Sequence, residues 1–252
     1  MTQRTTETTN PRSYAPSMVA TVRSLMPNRP LSFSEAKRIA ELQAARLLSL
    51  TDSTSAPVSE AVITELPRLA VQRVANLIGS GATAWSSGRW QLRINAAEPA
   101  TRQRFTLAHE LKHILDAAHE DVIYGHLPVG PAKERFVEAV CDHFAACLLM
   151  PKSWVKQLWG QGVQDLGELA WRFEVSQQAM LIRLQNIGLV EPLPRCAHWQ
   201  RLGSVAVRSS GRSPSRDHRR TYRRSPARVA PHRYARTDQA CLSLPTLEGV
   251  LP

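Results

Sequence analysis

Cysteine is scarce in this chain, with four in 252 residues. That is too few to staple a fold of this size, so the core has to come from buried apolar side chains and not from a disulfide framework. No run of 18 apolar residues occurs, which argues against a membrane-spanning helix. No secretory apolar segment is visible either, so export is not expected and a cytoplasmic address is. Internal repeats are absent. Acidic residues are outnumbered, 21 against 32 basic ones, for a net charge of +11. What is present is a hydrophobic fraction of 43%, enough for one sizeable domain with tails or two small ones.

The positive charge is uneven. From Cys196 to Pro252, eleven arginines face only Asp217, Asp238 and Glu248. The stretch is rich in Ser and Pro and has little apolar periodicity, so it is expected to be a disordered tail. Such an arm can neutralise phosphates and bind nucleic acid without sequence preference; equally, it can be a solvated low-complexity extension. At the other end, residues 1–30 are rich in Thr, Pro, Ser and Arg and are also expected to be disordered.

Between these ends lies the most informative string, His109-Glu110-Leu111-Lys112-His113. On a helix, residues four apart leave from one face, so His109 and His113 can bind one Zn²⁺ through both imidazoles. Glu110 flanks the same rim and is placed to act as general base on a metal-activated water. The string is short, and the chemistry needs a third ligand. Ala132–Met150 lies between Pro131 and Pro151 and reads as a helix with Val137, Val140, Cys141, Phe144 and Leu148 as its apolar stripe. Glu138 and Asp142 share a different face. Alone, they could be an ordinary solvated acidic face. Beside the histidine pair, Glu138 becomes the candidate third ligand, leaving a fourth position open as a catalytic zinc requires. Asp142, one turn on, is placed to accept a ring N–H from a ligating histidine and fix its tautomer.

Two blocks, RFTLAHELKH over 104–113 and EAVCDHFAACLLMP over 138–151, together resemble the core of the ImmA/IrrE family of zinc metallo-endopeptidases. The resemblance spans roughly residues 31–195. It implies one Zn²⁺ per chain held by His109, His113 and Glu138, with Glu110 as the catalytic glutamate and Asp142 as the supporting acid. It implies a zincin-like α+β core and a helix-turn-helix repressor as protein substrate, whose cleavage derepresses phage, mobile-element or stress genes. Lys112 stands where many members carry Gly, at a variable position where it should be harmless unless the helix packs tightly there. The lack of a following sensor domain leans toward the anti-repressor type.

The rest of the chain fits an α+β architecture, a small antiparallel sheet on helices with the site between two of them. Ser32 and Glu35 form a capping box for a helix over Phe33–Leu50, and Ser59–Leu66 reads as a short helix ended by Pro67. Leu69–Ile78 and Trp90–Asn95 read as strands, the second alternating Trp90, Leu92 and Ile94 with polar neighbours; Ser86-Ser87-Gly88 supplies a turn. Pro99 suits the first turn of the metal helix. Domain boundaries follow: 1–30, then 31–195 including a helix-turn-helix-like pair over 165–187, then 196–252.

That pair, Leu166–Leu184 with Ser176 capping its second helix, is the rival's foothold. A DNA-binding transcriptional regulator could use the peptidase fold as a scaffold and present Gln177, Gln178 and Arg183 to a major groove. Three smaller expectations remain. Cys141 and Cys147 are read as buried thiols. Tyr124 or His126, between the metal helices, could stabilise an oxyanion, though ordinary surface roles are commoner. Trp154, Trp159 and Trp171 are read as core rather than a peptide-binding wall.

Overall fold

The computed structural model describes residues 17–191. Both the basic tail from 196 onward and residues 1–16 lie outside that range. Nine helices and three strands follow one another among the described residues: α1 (Met18–Arg23), α2 (Phe33–Leu50), α3 (Ala61–Thr64), β1 (Leu69–Val74), β2 (Gly81–Ser86), β3 (Arg89–Asn95), α4 (Ala100–Asp116), α5 (Glu120–Tyr124), α6 (Pro131–Leu149), α7 (Lys152–Gly160), α8 (Leu166–Phe173) and α9 (Gln177–Asn186).

Helix α2 starts as its capping box dictates. The Ser32 side chain accepts from the Glu35 amide and the Glu35 carboxylate from the Ser32 amide, which satisfies two otherwise orphaned N–H groups. Its buried face is built on Ala36, Ala40 and Ala44, three methyl-sized residues at four-residue spacing that let α6 pack closely along it. Helix α6 answers with Val140, Phe144, Ala145 and Leu148, all fully buried. Helix α4 packs on α6 on one side and on β2 and β3 on the other. It is the central beam of the fold.

The sheet is mixed, not the wholly antiparallel one expected. Its order is β1-β3-β2, with β1 parallel to β3 and β2 antiparallel to β3. The reason is β2, a strand of small residues that gives little apolar alternation to read. It takes the outer edge, so β3 returns between its two predecessors. Leu92 and Ile94 point from the middle strand into the core and are buried. β1 ends at Val74, short of the expected Ile78, because Asn76 turns the chain with φ +62°.

Residues 17–30, expected to be disordered, are ordered. The Ser17 hydroxyl caps α1, and Val22 and Met26 are buried. Arg23 donates to the Ile114 and Leu115 carbonyls near the end of α4, where a cation complements the helix dipole. The helix pair α8–α9 forms as read, with Ser176 accepting from the Ala179 amide. Arg183 does not join its outer face. It is buried and donates to the Met150 carbonyl and to Cys147 Sγ, which leaves Gln177, Gln178 and Ile182 as exposed residues of α9. Trp171 is 77% exposed and not core, whereas Trp154 and Trp159 do pack against the core. Cys141 and Cys147 are buried free thiols.

Helix α4 does pack tightly at Lys112: the residue is 1% exposed, with Nζ 2.6 Å from Asp116 Oδ1 and 2.8 Å from Gln43 Oε1 of α2. Tyr124 closes the cluster from α5, its hydroxyl donating to Asp116 Oδ2 at 2.8 Å. A buried charge is tolerated only when paired and hydrogen-bonded. Removing one partner should therefore leave the other costly. Lys112→Met is expected to lower unfolding free energy by about 3–5 kcal/mol, read from denaturant midpoints, and Asp116→Asn on that background should restore part of it. A loss below about 1 kcal/mol would place the pair among solvent-screened ones.

Candidate metal centre

The site is assembled by two helices. Turn spacing on α4 sends His109 and His113 to one face, and the same spacing on α6 sends Glu138 and Asp142 toward them. Packing of α4 on α6 brings the two faces together. His109 Nε2 lies 3.1 Å from His113 Nε2. Glu138 bridges the pair, with one oxygen 3.2 Å from His109 Nε2 and the other 3.3 Å from His113 Nε2. Asp142 Oδ1 lies 2.9 Å from the far ring nitrogen of His109, Nδ1.

These separations test whether the residues suit a metal. Ligand atoms about 2.0–2.1 Å from a tetrahedral zinc stand about 3.3 Å from one another. The three gaps, two of them to different oxygens of Glu138, lie within a few tenths of an ångström of that value, so the three side chains suit one small cation between them. Cys141 is a second candidate for the third donor, since its Sγ and the two imidazoles place ligand atoms within 4.8 Å of one another. It would have to give up a proton to bind, as His109 would. Burial pushes the Cys141 thiol well up, with nearby Asp116 adding to the effect, and a metal takes a thiolate rather than a thiol. Glu138 is the opposite case. Hydrogen bonds from His109 and His113 hold its carboxyl well below the usual carboxylate range, so it is already an anion.

The protons are distributed to match. Burial opposes charge on His109, but hydrogen bonds to Asp142 and Glu138 outweigh it and lift the ring to about 9. Glu110 points to the other flank of α4, toward β2. Burial raises its carboxyl above the ordinary value, partly countered by the two histidines and by a hydrogen bond from Thr83. A side chain on the facing strand would crowd it. A Cβ on Gly81 would stand 2.8 Å from Glu110 Oε1 and 2.6 Å from Thr106 Cγ2, closer than such atoms pack. Neither Gly81 nor Thr83 was legible as part of the site, because only the strand register lays them on α4. A cleft of about 310 Å³ opens beside His113 and Glu138, walled by Val129, Val137, Lys133 and Glu134. Tyr124 and His126 are not brought to the centre. Tyr124 is buried against Asp116, and His126 is an exposed residue past the end of α5.

Residues 69–185 match the family model described as the IrrE N-terminal-like domain. The radiation response metalloprotease IrrE of Deinococcus radiodurans is 35% identical over 96 residues, covering 36% of this chain and 29% of that protein. The protein of the same name from Deinococcus deserti is 38% identical over 96 residues, covering 36% and 34%. The chain thus spans about a third of the length of these relatives. A solved Mycobacterium tuberculosis transcriptional regulator superposes with a TM-score of 0.50 at 18% identity, covering 66% of this chain and 51% of that one. At that identity the likeness is one of fold.

Metal ligation needs the neutral ring, so a proton has to leave His109 when a cation enters. With a pKa near 9, the ring holds that proton at pH 7. Titrating Zn²⁺ into metal-free protein in weak buffer should therefore release close to one proton from His109 at pH 7, about half near pH 9 and little at pH 10. Release that does not fall between pH 7 and 10 would mean that the 2.9 Å contact to Asp142 is made by a neutral imidazole.

Proposed function

Residues 69–185 are an IrrE N-terminal-like domain of the ImmA/IrrE family, and from that premise we propose that this chain is a zinc-dependent endopeptidase whose substrate is a helix-turn-helix repressor. The observation that carries the reading is the convergence of His109, His113 and Glu138 at mutual separations of 3.1–3.3 Å with the Glu110 carboxyl buried on the adjoining flank.

The ligand set we assign is His109, His113 and Glu138, with Asp142 holding His109 in the tautomer that frees Nε2. When bound, the zinc supplies Lewis acidity toward a water and toward the carbonyl of the peptide to be cut. Glu110 takes the proton from the attacking water and delivers it to the departing amine, the exchange a carboxylate with a raised pKa suits near neutrality. Thr83 orients that carboxylate, and Gly81 leaves it room. The cleft between α4, α5 and α6 admits the polypeptide. The substrate class follows the family resemblance, and a repressor substrate implies a cytoplasmic site of action. Among the described residues no helix is long and apolar enough to cross a membrane.

Two variants separate the candidate third ligands. Glu138→Ala should lose stoichiometric zinc in metal analysis, and Cys141→Ser should retain it; the reverse pattern would move the third donor to Cys141. Glu110→Gln should keep zinc and fold, bind a co-encoded repressor and leave it whole, with cleavage slowed about 10²–10⁴-fold. Fragments on a gel, beside a reporter driven from the repressor's operator, give the readout. Derepression that persists in Glu110→Gln, with no fragments from either protein, would favour the regulator reading.

Gly81→Ala tests the flank. The added methyl should displace the Glu110 carboxylate, so zinc content should hold while cleavage falls at least tenfold. A variant that cuts at the wild-type rate would show that the edge strand gives way and that Gly81 has no part in placing Glu110.

A further inference from the structure

Behind the metal helix lies a second cavity, of about 150 Å³. Leu111 and Ile114 of α4 form part of its wall, and they leave the helix on a different face from His109 and His113. Trp85 and Trp90, paired across β2 and β3, form another part, their rings edge to face with centroids 5.5 Å apart. Trp85 is 54% exposed, an unusual state for the largest apolar side chain on an edge strand.

The charge around this cavity has one sign. Arg23 and Arg68 line it, and no carboxylate does among the described residues. Arg23 is tethered through Nε and one terminal nitrogen to the Leu115 and Ile114 carbonyls. Arg68 is exposed at the rim. Its backbone sits at φ +60°, a left-handed conformation that residues other than Gly, Asn and Asp rarely adopt. The Trp90 amide pins it there by donating to the Arg68 carbonyl at 2.8 Å. Strain of this kind collects where a side chain has to be aimed.

An open hollow of about 150 Å³ is the size that accepts a benzene-like ring, and its wall mixes apolar side chains with Ser17 and the two arginines. Aromatic walls suit a flat ring through edge or offset contacts, and a guanidinium at the mouth suits a carboxylate. We infer that this cavity is a binding site for a small aromatic carboxylate, its ring between Trp85 and the Leu111–Ile114 wall and its anion at Arg68. The occupant would rest on the helix that carries Glu110 and the paired histidines, without entering the cleft beside them. The inference is independent of whether the chain cuts peptides.

Benzoate and its uncharged counterpart benzamide provide the test. In the ¹⁵N-labelled full chain, the six tryptophans give separate indole N–H resonances, and Trp85→Phe and Trp90→Phe assign the two of interest. Millimolar benzoate should shift the Trp85 and Trp90 signals along a saturating curve and leave the other four nearly still. Benzamide should bind about fivefold more weakly, the size of one partly exposed charge contact. Arg68→Gln, a surface change that leaves the fold intact, should erase that difference and leave benzamide binding as it was. Equal affinity for acid and amide, shifts that never saturate, or shifts spread over all six indoles would each overturn the site.

Discussion

Two imidazole nitrogens and a carboxylate are held within about 3 Å of one another because α4 and α6 pack side by side, and the rest of the fold serves that contact. The arrangement is costly in itself. Polar groups lose water on entering it, and one carboxylate has to serve two rings. It is stabilised by what surrounds the two helices. Alanines on α2 let α6 lie close, so its register against α4 is set by well-packed side chains with little room to slide. Arg23 and the Lys112–Asp116–Tyr124 cluster hold the far end of α4. At its near end Arg104 is buried, donating to the Val58 carbonyl and pairing with Glu174 at the turn of the helix pair. A helix clamped at both ends holds His109 and His113 with little reorganisation, as the proposed metal site requires.

The same helix sorts its charges by face. Toward α6, hydrogen bonds raise the pKa of His109 and lower that of Glu138, so a cation at the proposed site would meet an anionic oxygen and displace a proton. Toward β2, Glu110 is buried enough to hold a proton more readily than an exposed carboxylate would. Toward α2 and α5, Lys112 and Asp116 neutralise each other out of water. Carboxylates on or beside one rod thus behave differently because each faces a different environment. Environment sets the role where residue type cannot.

Much of the site was legible before any fold was known. Helical spacing is a local property, so His109 with His113 and Glu138 with Asp142 could each be placed on a common face from their numbers alone. The caps at Ser32 and Ser176, and the helix bounded by Pro131 and Pro151, depend on neighbours a few residues away and formed as read. The composition of α+β elements was legible for the same reason.

What only the tertiary structure decided depends on partners distant in sequence. β2 has too few large apolar residues to announce itself, and its edge position makes β1 and β3 parallel neighbours. That register lays Gly81 and Thr83 against Glu110, a relation no local pattern encodes. Lys112 was expected to be harmless unless its helix packed tightly there, and its partner Gln43 lies 69 positions away; Arg183 looked like part of an exposed face because Met150 lies 33 positions away. Tyr124 turned to Asp116, only eight positions away, because α5 packs back on the end of α4. Whether a charged or polar group faces water or a buried partner is settled when the elements pack, since burial and pairing are properties of the assembled core and not of the residue.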